Sequence, residues 1–91
     1  MQVRFFASLR HITRCAEADI PYRETAGALA HSLCDLYGEQ LRQLFFPSGE
    51  EKFGTEVIFL INGRHFNQLG GLDAPLSPGD LVDFFPVVSG G

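Results

Sequence analysis

The last strand-like segment of the chain, Asp80-Leu81-Val82-Asp83-Phe84-Phe85-Pro86-Val87-Val88, runs almost directly into Gly90-Gly91, the final pair of the 91 residues. A buried strand that ends in Gly-Gly fixes one end of a thread. It leaves the other end, a carboxylate, free to enter another protein. Without a Cβ, the two glycines can pass a narrow channel and adopt backbone angles closed to other residues. The pattern makes the carboxyl of Gly91 the candidate reactive group. Small residues are also common where chain ends merely fray. The pair therefore has to be weighed with the rest of the sequence.

The rest alternates strand and helix signals. Val3-Arg4-Phe5-Phe6-Ala7 reads as a first strand, with Val3 and Phe5 on one face. Ala16 to Ile20 alternates polar and apolar residues and ends at Pro21, so the two strands form an N-terminal hairpin with Leu9 to Arg14 as its loop. Thr25 is placed to cap a helix. Ala26, Leu29, Ala30, Leu33 and Tyr37 then recur at helical spacing, and Gly38 stops the helix. Glu39 to Phe45 is a second, shorter helix. Pro47 to Thr55 is a loop. Val57 to Ile61 is continuously apolar, as a central strand would be. Asn62-Gly63 is a hairpin-turn dipeptide leading to a short return strand at Arg64-His65-Phe66. Leu69 to Leu72 is an irregular turn, and Pro78-Gly79 predicts a type II turn before the last strand. The two terminal strands are expected to pair in parallel at the middle of the sheet, with the main helix crossing one face. That is a small α+β roll.

Composition narrows the functions. A hydrophobic share of 45% and a charged share of 20% describe one globular domain. Nine phenylalanines and no tryptophan suggest a core built on phenylalanine. The net charge is -4, and the seven basic residues are scattered, so nucleic acid is not an expected partner. No apolar run approaches membrane-spanning length and no signal peptide opens the chain, so a cytoplasmic protein is expected. Cys15 and Cys34 carry no metal-ligand spacing and read as reduced thiols, although spacing alone leaves a disulfide open. His11, His31 and His65 fall in separate elements, with no shared ligand pattern. His31 is expected in solvent and His65 at the surface, neither of them catalytic. No metal site is expected.

The ordered set Val3-Arg4-Phe5-Phe6-Ala7, Ile61-Asn62-Gly63-Arg64, Leu69-Gly70-Gly71-Leu72-Asp73-Ala74-Pro75-Leu76 and Pro78-Gly79-Asp80 through Phe84-Phe85-Pro86 to Gly90-Gly91 resembles the β-grasp sulfur carriers of the molybdopterin synthase small-subunit type. The resemblance spans nearly the whole chain. It implies a ubiquitin-like β-grasp fold, a mixed sheet of four to five strands with one main helix across one face. Residues 1–91 would be one domain, with 87–91 as a flexible tail. It also implies that Gly91, preceded by Gly90, is adenylated and converted to a thiocarboxylate. The chain has no phosphate-binding glycine loop, so ATP would be used by a separate E1-like adenylyltransferase. The sulfur would be carried covalently on Gly91, with no cofactor bound, into the large subunit of molybdopterin synthase. On the resemblance, that sulfur would serve molybdenum or tungsten cofactor synthesis. Val87 stands where many relatives have a second proline, and the Pro47–Thr55 loop is longer than in the shortest members.

Strand alternation locates an expected docking face. Asp83 is expected to face outward, which turns Val82 and Phe84 inward and places Phe85 and Leu81 beside it. Ile58 and Leu60 join them if Phe59 and Ile61 point inward. An exposed Phe85 on a sheet suggests an interface, unless the second helix or the long loop covers it. Phe85, Pro86, Val87, Val88, Ser89, Leu60 and Ile58 are the expected partner-binding residues. The tail carries no charge, whereas ubiquitin-type modifiers tend to carry arginine there. That favours a sulfur carrier over a protein tag. Sulfur delivery to thiamine or another metabolite, conjugation to lysines as a modifier, and a passive binding module remain the other readings.

Overall fold

The buried apolar positions of the strands sort onto one face of a five-stranded sheet. The computed structural model describes residues 1–87. The elements run β1 (Gln2–Phe5), α1 (Leu9–Thr13), β2 (Glu17–Asp19), α2 (Ala26–Tyr37), α3 (Glu39–Phe45), β3 (Val57–Ile61), β4 (Arg64–His65) and β5 (Leu81–Pro86). Two 3-10 turns, Phe66–Leu69 and Gly71–Asp73, separate β4 from β5. The sheet order is β2-β1-β5-β3-β4. β1 and β5 pair in parallel, with Val3 beside Val82 and Phe5 beside Phe84, and β5 is antiparallel to β3. This is the expected ubiquitin-like β-grasp arrangement.

Inward residues Val3, Phe5, Val57, Phe59, Ile61, Val82 and Phe84 meet Ala26, Leu29, Ala30 and Leu33 of α2 and Leu41 and Phe45 of α3. Thr25 caps α2 as expected, its hydroxyl accepting from the Ala28 N–H at 3.2 Å. Seven of the nine phenylalanines are buried, and ring contacts, stacked at Phe5–Phe84 and Phe59–Phe66 and tilted at Phe84–Phe59, run from Phe5 to Phe66. Only Phe6 and Phe85 lie outside that core, both half-buried.

Several local expectations change. Leu9 to Arg14 contains a helical turn rather than an open loop. Leu9 and Thr13, four apart, are both buried, and the Thr13 hydroxyl donates to the Leu9 carbonyl at 3.2 Å. β1 stops at Phe5 because Ala7 takes φ 53° and turns the chain. β5 ends at Pro86, short of Val87, and the expected end at Val88 lies outside the described residues. Phe66 opens a 3-10 turn instead of extending β4. Asn62 and Gly63 do take φ 52° and 82°, the positive pair that a type I′ hairpin requires. The Pro78-Gly79 turn is not type II, since Gly79 lacks a positive φ. Its Asp80 N–H still donates to Ser77, and the Asp80 carboxylate accepts from the Ser77 N–H at 2.7 Å.

The 47–55 segment is pinned. Phe53 is buried against Phe45, Phe46, Phe59 and Phe66. A Cβ at Gly54 would meet the Leu44 carbonyl oxygen at 2.6 Å, closer than such contacts allow. His31 is not simply solvated. Its ring lies flat on Phe46 at 4.1 Å, and Nε2 donates to the Glu50 carbonyl at 2.9 Å.

Cys15 and Cys34 are free thiols. Burial pushes the Cys34 thiol up to about 11. Burial and the contact with Cys15 push the Tyr37 phenol up to about 12. Both groups therefore stay neutral in the folded chain where the unfolded chain has begun to ionise. Stability is full below the ordinary thiol range and falls as pH rises through the raised values. Thermal melts should fall steeply between about pH 9 and 11, and less steeply in Cys34→Ala. Equal slopes for the two proteins would contradict the assignment.

Candidate functional site

The site begins with how firmly the last strand is held. β5 lies between β1 and β3, paired on both sides as far as Phe84 and with β3 alone at Phe85 and Pro86. Asn62 N–H donates to the Leu81 carbonyl at one end of the β3–β5 ladder, and Val87 N–H to the Glu56 carbonyl at the other, each at 2.8 Å. Odd-numbered residues of β5 thus exchange bonds with β3. Pro86, which has no N–H, falls opposite Val57 at a position where no such donor is needed. Val87 is exposed. The expected site residues Val88, Ser89, Gly90 and Gly91 lie outside the described residues.

The outer face of the same strands carries the expected patch, with corrections. Ile58 lies opposite Phe85 and Leu60 opposite Asp83, and Ile58, Leu60, Leu81 and Phe85 are all half-buried. Alternation does turn Asp83 to this face, but Asp83 is buried, with 6% of its surface exposed. Its parallel neighbour Arg4 closes over it. Nε and one terminal nitrogen donate to the two carboxylate oxygens at 2.6 and 2.9 Å. That hydrogen bonding raises the Arg4 pKa further above its ordinary value and fixes the pair as a bidentate clamp between β1 and β5.

Phe85 is not a bare anchor either. Its ring stacks on Phe6 at 4.2 Å with 8° between planes. The cover comes from the segment after β1, not from the second helix or the long loop. The Arg4 and Arg10 guanidinium carbons sit 5.5 and 5.8 Å from the Phe6 ring centre, within cation–π range. Arg10 Nε also donates to the Phe5 carbonyl at 3.0 Å. The face is an aliphatic and aromatic strip with a cationic border, beside the strand that leads to the tail. Sequence reasoning missed Phe6, Arg4 and Arg10. The signal was present, because parallel pairing of Phe5 with Phe84 brings Phe6 beside Phe85.

The arrangement suits docking more than acid–base chemistry. His65 Nδ1 accepts from the Asn67 N–H at 3.2 Å, and His31 is engaged with Phe46 and Glu50. His11 is exposed. Among the described residues no three histidine, cysteine, aspartate or glutamate side chains could hold a metal ion, and no helix is long and apolar enough to cross a membrane.

Against family models, residues 3–91 match the ThiS family. No curated protein sequence matches the chain. Among solved structures, the chain is similar to small archaeal modifier protein 1 from Methanosarcina acetivorans, with a TM-score of 0.83 and 29% identity over 99% of this chain and 94% of that one. It is similar to CysO of Mycobacterium tuberculosis, at 0.81 and 26% over 96% and 98%. A chain from Pyrococcus furiosus, assigned provisionally as molybdopterin converting factor subunit 1, gives 0.74 and 27% over 96% and 95%.

Proposed function

The chain belongs to the ThiS family of ubiquitin-like sulfur carriers and modifiers, and we propose that it is the sulfur-carrying small subunit of a molybdopterin synthase. The observation that carries the reading is the seat of β5. The strand leading to Gly90-Gly91 is held at the centre of the sheet, beside an apolar face with a cationic border. The body is then a handle, and the terminus is the reagent. A carboxylate is a poor electrophile, so an E1-like adenylyltransferase first joins Gly91 to AMP at the expense of ATP. A persulfide sulfur attacks the acyl carbon, and the bond from that carbon to AMP breaks. A thiol then cleaves the sulfur–sulfur bond and leaves a thiocarboxylate. Covalent carriage divides one difficult transfer into two easier ones. The thiocarboxylate sulfur is delivered inside the large subunit of molybdopterin synthase.

The likeness to a provisional molybdopterin converting factor at 27% identity supports the pathway. The likeness to a small archaeal modifier at 29% identity favours a second reading, a tag joined to lysines through Gly91. The uncharged Val87-Val88-Ser89 segment speaks for the carrier. A pull-down with the native C-terminus tests the choice. An adenylyltransferase together with a molybdopterin synthase large subunit is expected. Gly-Gly remnants on the lysines of other proteins, without that large subunit, would replace the carrier by the tag.

The docking face makes its own prediction. Phe85→Ala should weaken binding to the captured enzyme by tenfold or more, since aromatic anchors in such strips commonly cost about 2 kcal/mol or more when truncated. Its melting temperature should stay near that of the parent, because Phe85 lies outside the core. Unchanged affinity in a calorimetric titration would remove the patch from the interface.

A further inference from the structure

The outer face of the sheet holds a charged pair among apolar side chains. Glu17, Arg4, Asp83 and Leu60 follow one another across β2, β1, β5 and β3. Toward the end of β5 the same face carries Phe6, Phe85 and Ile58. Asp83 is sealed: its side chain is 9% exposed, and both oxygens accept from Arg4. Arg4 is not sealed, since its side chain is 41% exposed. A guanidinium offers five N–H donors, and the bond to Asp83 uses Nε and one N–H of Nη2. Among the described residues Asp83 alone accepts from the group. Glu17 is engaged elsewhere, with the Gln2 side-chain amide donating to its carboxylate. The Phe6 ring centre lies 5.5 Å from the Arg4 guanidinium carbon, and Phe6 stacks on Phe85. A partner that buries Phe85 and Phe6 therefore strips water from Arg4 as well. A donor that loses water and gains no acceptor weakens binding.

We propose that Arg4 sets the specificity of the docking face: it selects, on the adenylyltransferase, an apolar surface that places a neutral carbonyl oxygen, from the backbone or a side-chain amide, over the guanidinium donors that Asp83 leaves unused. The inference rests on the docking face proposed above and adds the chemistry of the surface it takes. Charge decides between a carbonyl and a carboxylate. Asp83 neutralises Arg4 at bonding distance. Glu17 lies beside Arg4 on the neighbouring strand, and Arg10, which also lies against Phe6, offsets it. These four side chains sum to zero. A further carboxylate would bury an excess negative charge, whereas a carbonyl completes the guanidinium bonding and adds none. A surface that is apolar throughout is rejected because it leaves the donors unpaired. An acidic one is rejected because it meets Asp83 and Glu17.

The test titrates the full-length protein into the purified adenylyltransferase of its own host by calorimetry, at low and at high salt. Arg4→Met combined with Asp83→Leu removes the pair without leaving a lone buried charge. Its affinity should fall about tenfold or more, by the same factor at both salt concentrations, with a melting temperature near the parent's. Arg4→Lys keeps the ion pair but not the planar fork, and it should lose affinity too; it stands in for the double variant if that fails to fold. Asp83→Asn gives the opposite contrast. It weakens the clamp yet leaves the unused donors in place, so it should melt lower and bind nearly as the parent does. Parental or tighter binding by the folded apolar pair, or by Arg4→Lys, would overturn the proposal. So would an equal loss in Asp83→Asn, which would make the pair a strand clamp and nothing more. A loss confined to low salt would also overturn it, by putting a carboxylate opposite Arg4. Phe85→Ala, titrated alongside, separates the two readings. Weak binding by Phe85→Ala with parental binding by the apolar pair sinks only the role of Arg4. Parental binding by both removes the docking face as well.

Discussion

One residue added after Gly91 is expected to abolish sulfur loading while leaving the melting temperature unchanged. The two readouts separate because the fold and the proposed chemistry sit at different places. The described core draws on residues between Val3 and Phe84 and none beyond Pro86. An appended residue removes none of those contacts. The activating enzyme proposed above, in contrast, must bring one carboxylate oxygen to the α-phosphate of ATP, from which pyrophosphate leaves. An extra residue moves the terminal carboxyl by about 3.5 Å. A misplacement of about 1 Å can already cost a factor of about 100 in rate. Loading by the adenylyltransferase, read as AMP release or as mass, should fall below detection. An extended protein loaded at the parent rate would show that the terminal carboxyl is not the group that reacts.

Phe84→Ala is expected to bring the domain close to unfolding, although it lies next to the interface residue Phe85. Phe84 is fully buried and stacks or tilts against Phe5, Phe45 and Phe59, with centroid distances of 5.9, 4.8 and 4.5 Å. It joins the rings of β1, α3 and β3 at the centre of the sheet. Truncating a core phenylalanine costs about 3–5 kcal/mol. A domain of this size holds about 5–14 kcal/mol in total. The loss should lower the melting temperature by about 15–30 °C. A urea or thermal melt on Phe84→Ala and Phe85→Ala together makes the contrast: the first should lose stability and the second should not. A small loss for Phe84→Ala would mean that the phenylalanine stack is redundant.

Much of this was legible in the sequence because the strongest signals were periodic or chemically restrictive. The stripe of α2, its Thr25 cap, the Asn62-Gly63 turn and the inward pair Val82 and Phe84 all follow from local spacing. The parallel β1–β5 pairing follows once the helix must cross one face. What could not be read depended on contacts between distant segments. The turn at Leu9–Thr13 is fixed by burial of Leu9 and Thr13, and five residues carry too little period to announce a helix. Alternation put Asp83 on the outer face correctly. It could not show that Arg4, one strand away, would cover it. Phe53 sat in a polar stretch that read as a loop, yet its ring fills the gap among four other phenylalanines. His31 looked solvated from its place off the stripe, but the same loop returns to meet it. The docking strip was half legible for the same reason. Its β3 and β5 members came from alternation, while Phe6, Arg4 and Arg10 required the register between β1 and β5.

The central claim is that the terminal carboxyl is a loadable group. Intact mass of the protein purified from its own host, with its native C-terminus, tests it most directly. The account predicts a fraction heavier by the exchange of one oxygen for sulfur, and fragmentation should place that exchange at Gly91. A single unmodified mass, persisting after incubation with the captured adenylyltransferase, ATP and a persulfide donor, would contradict it.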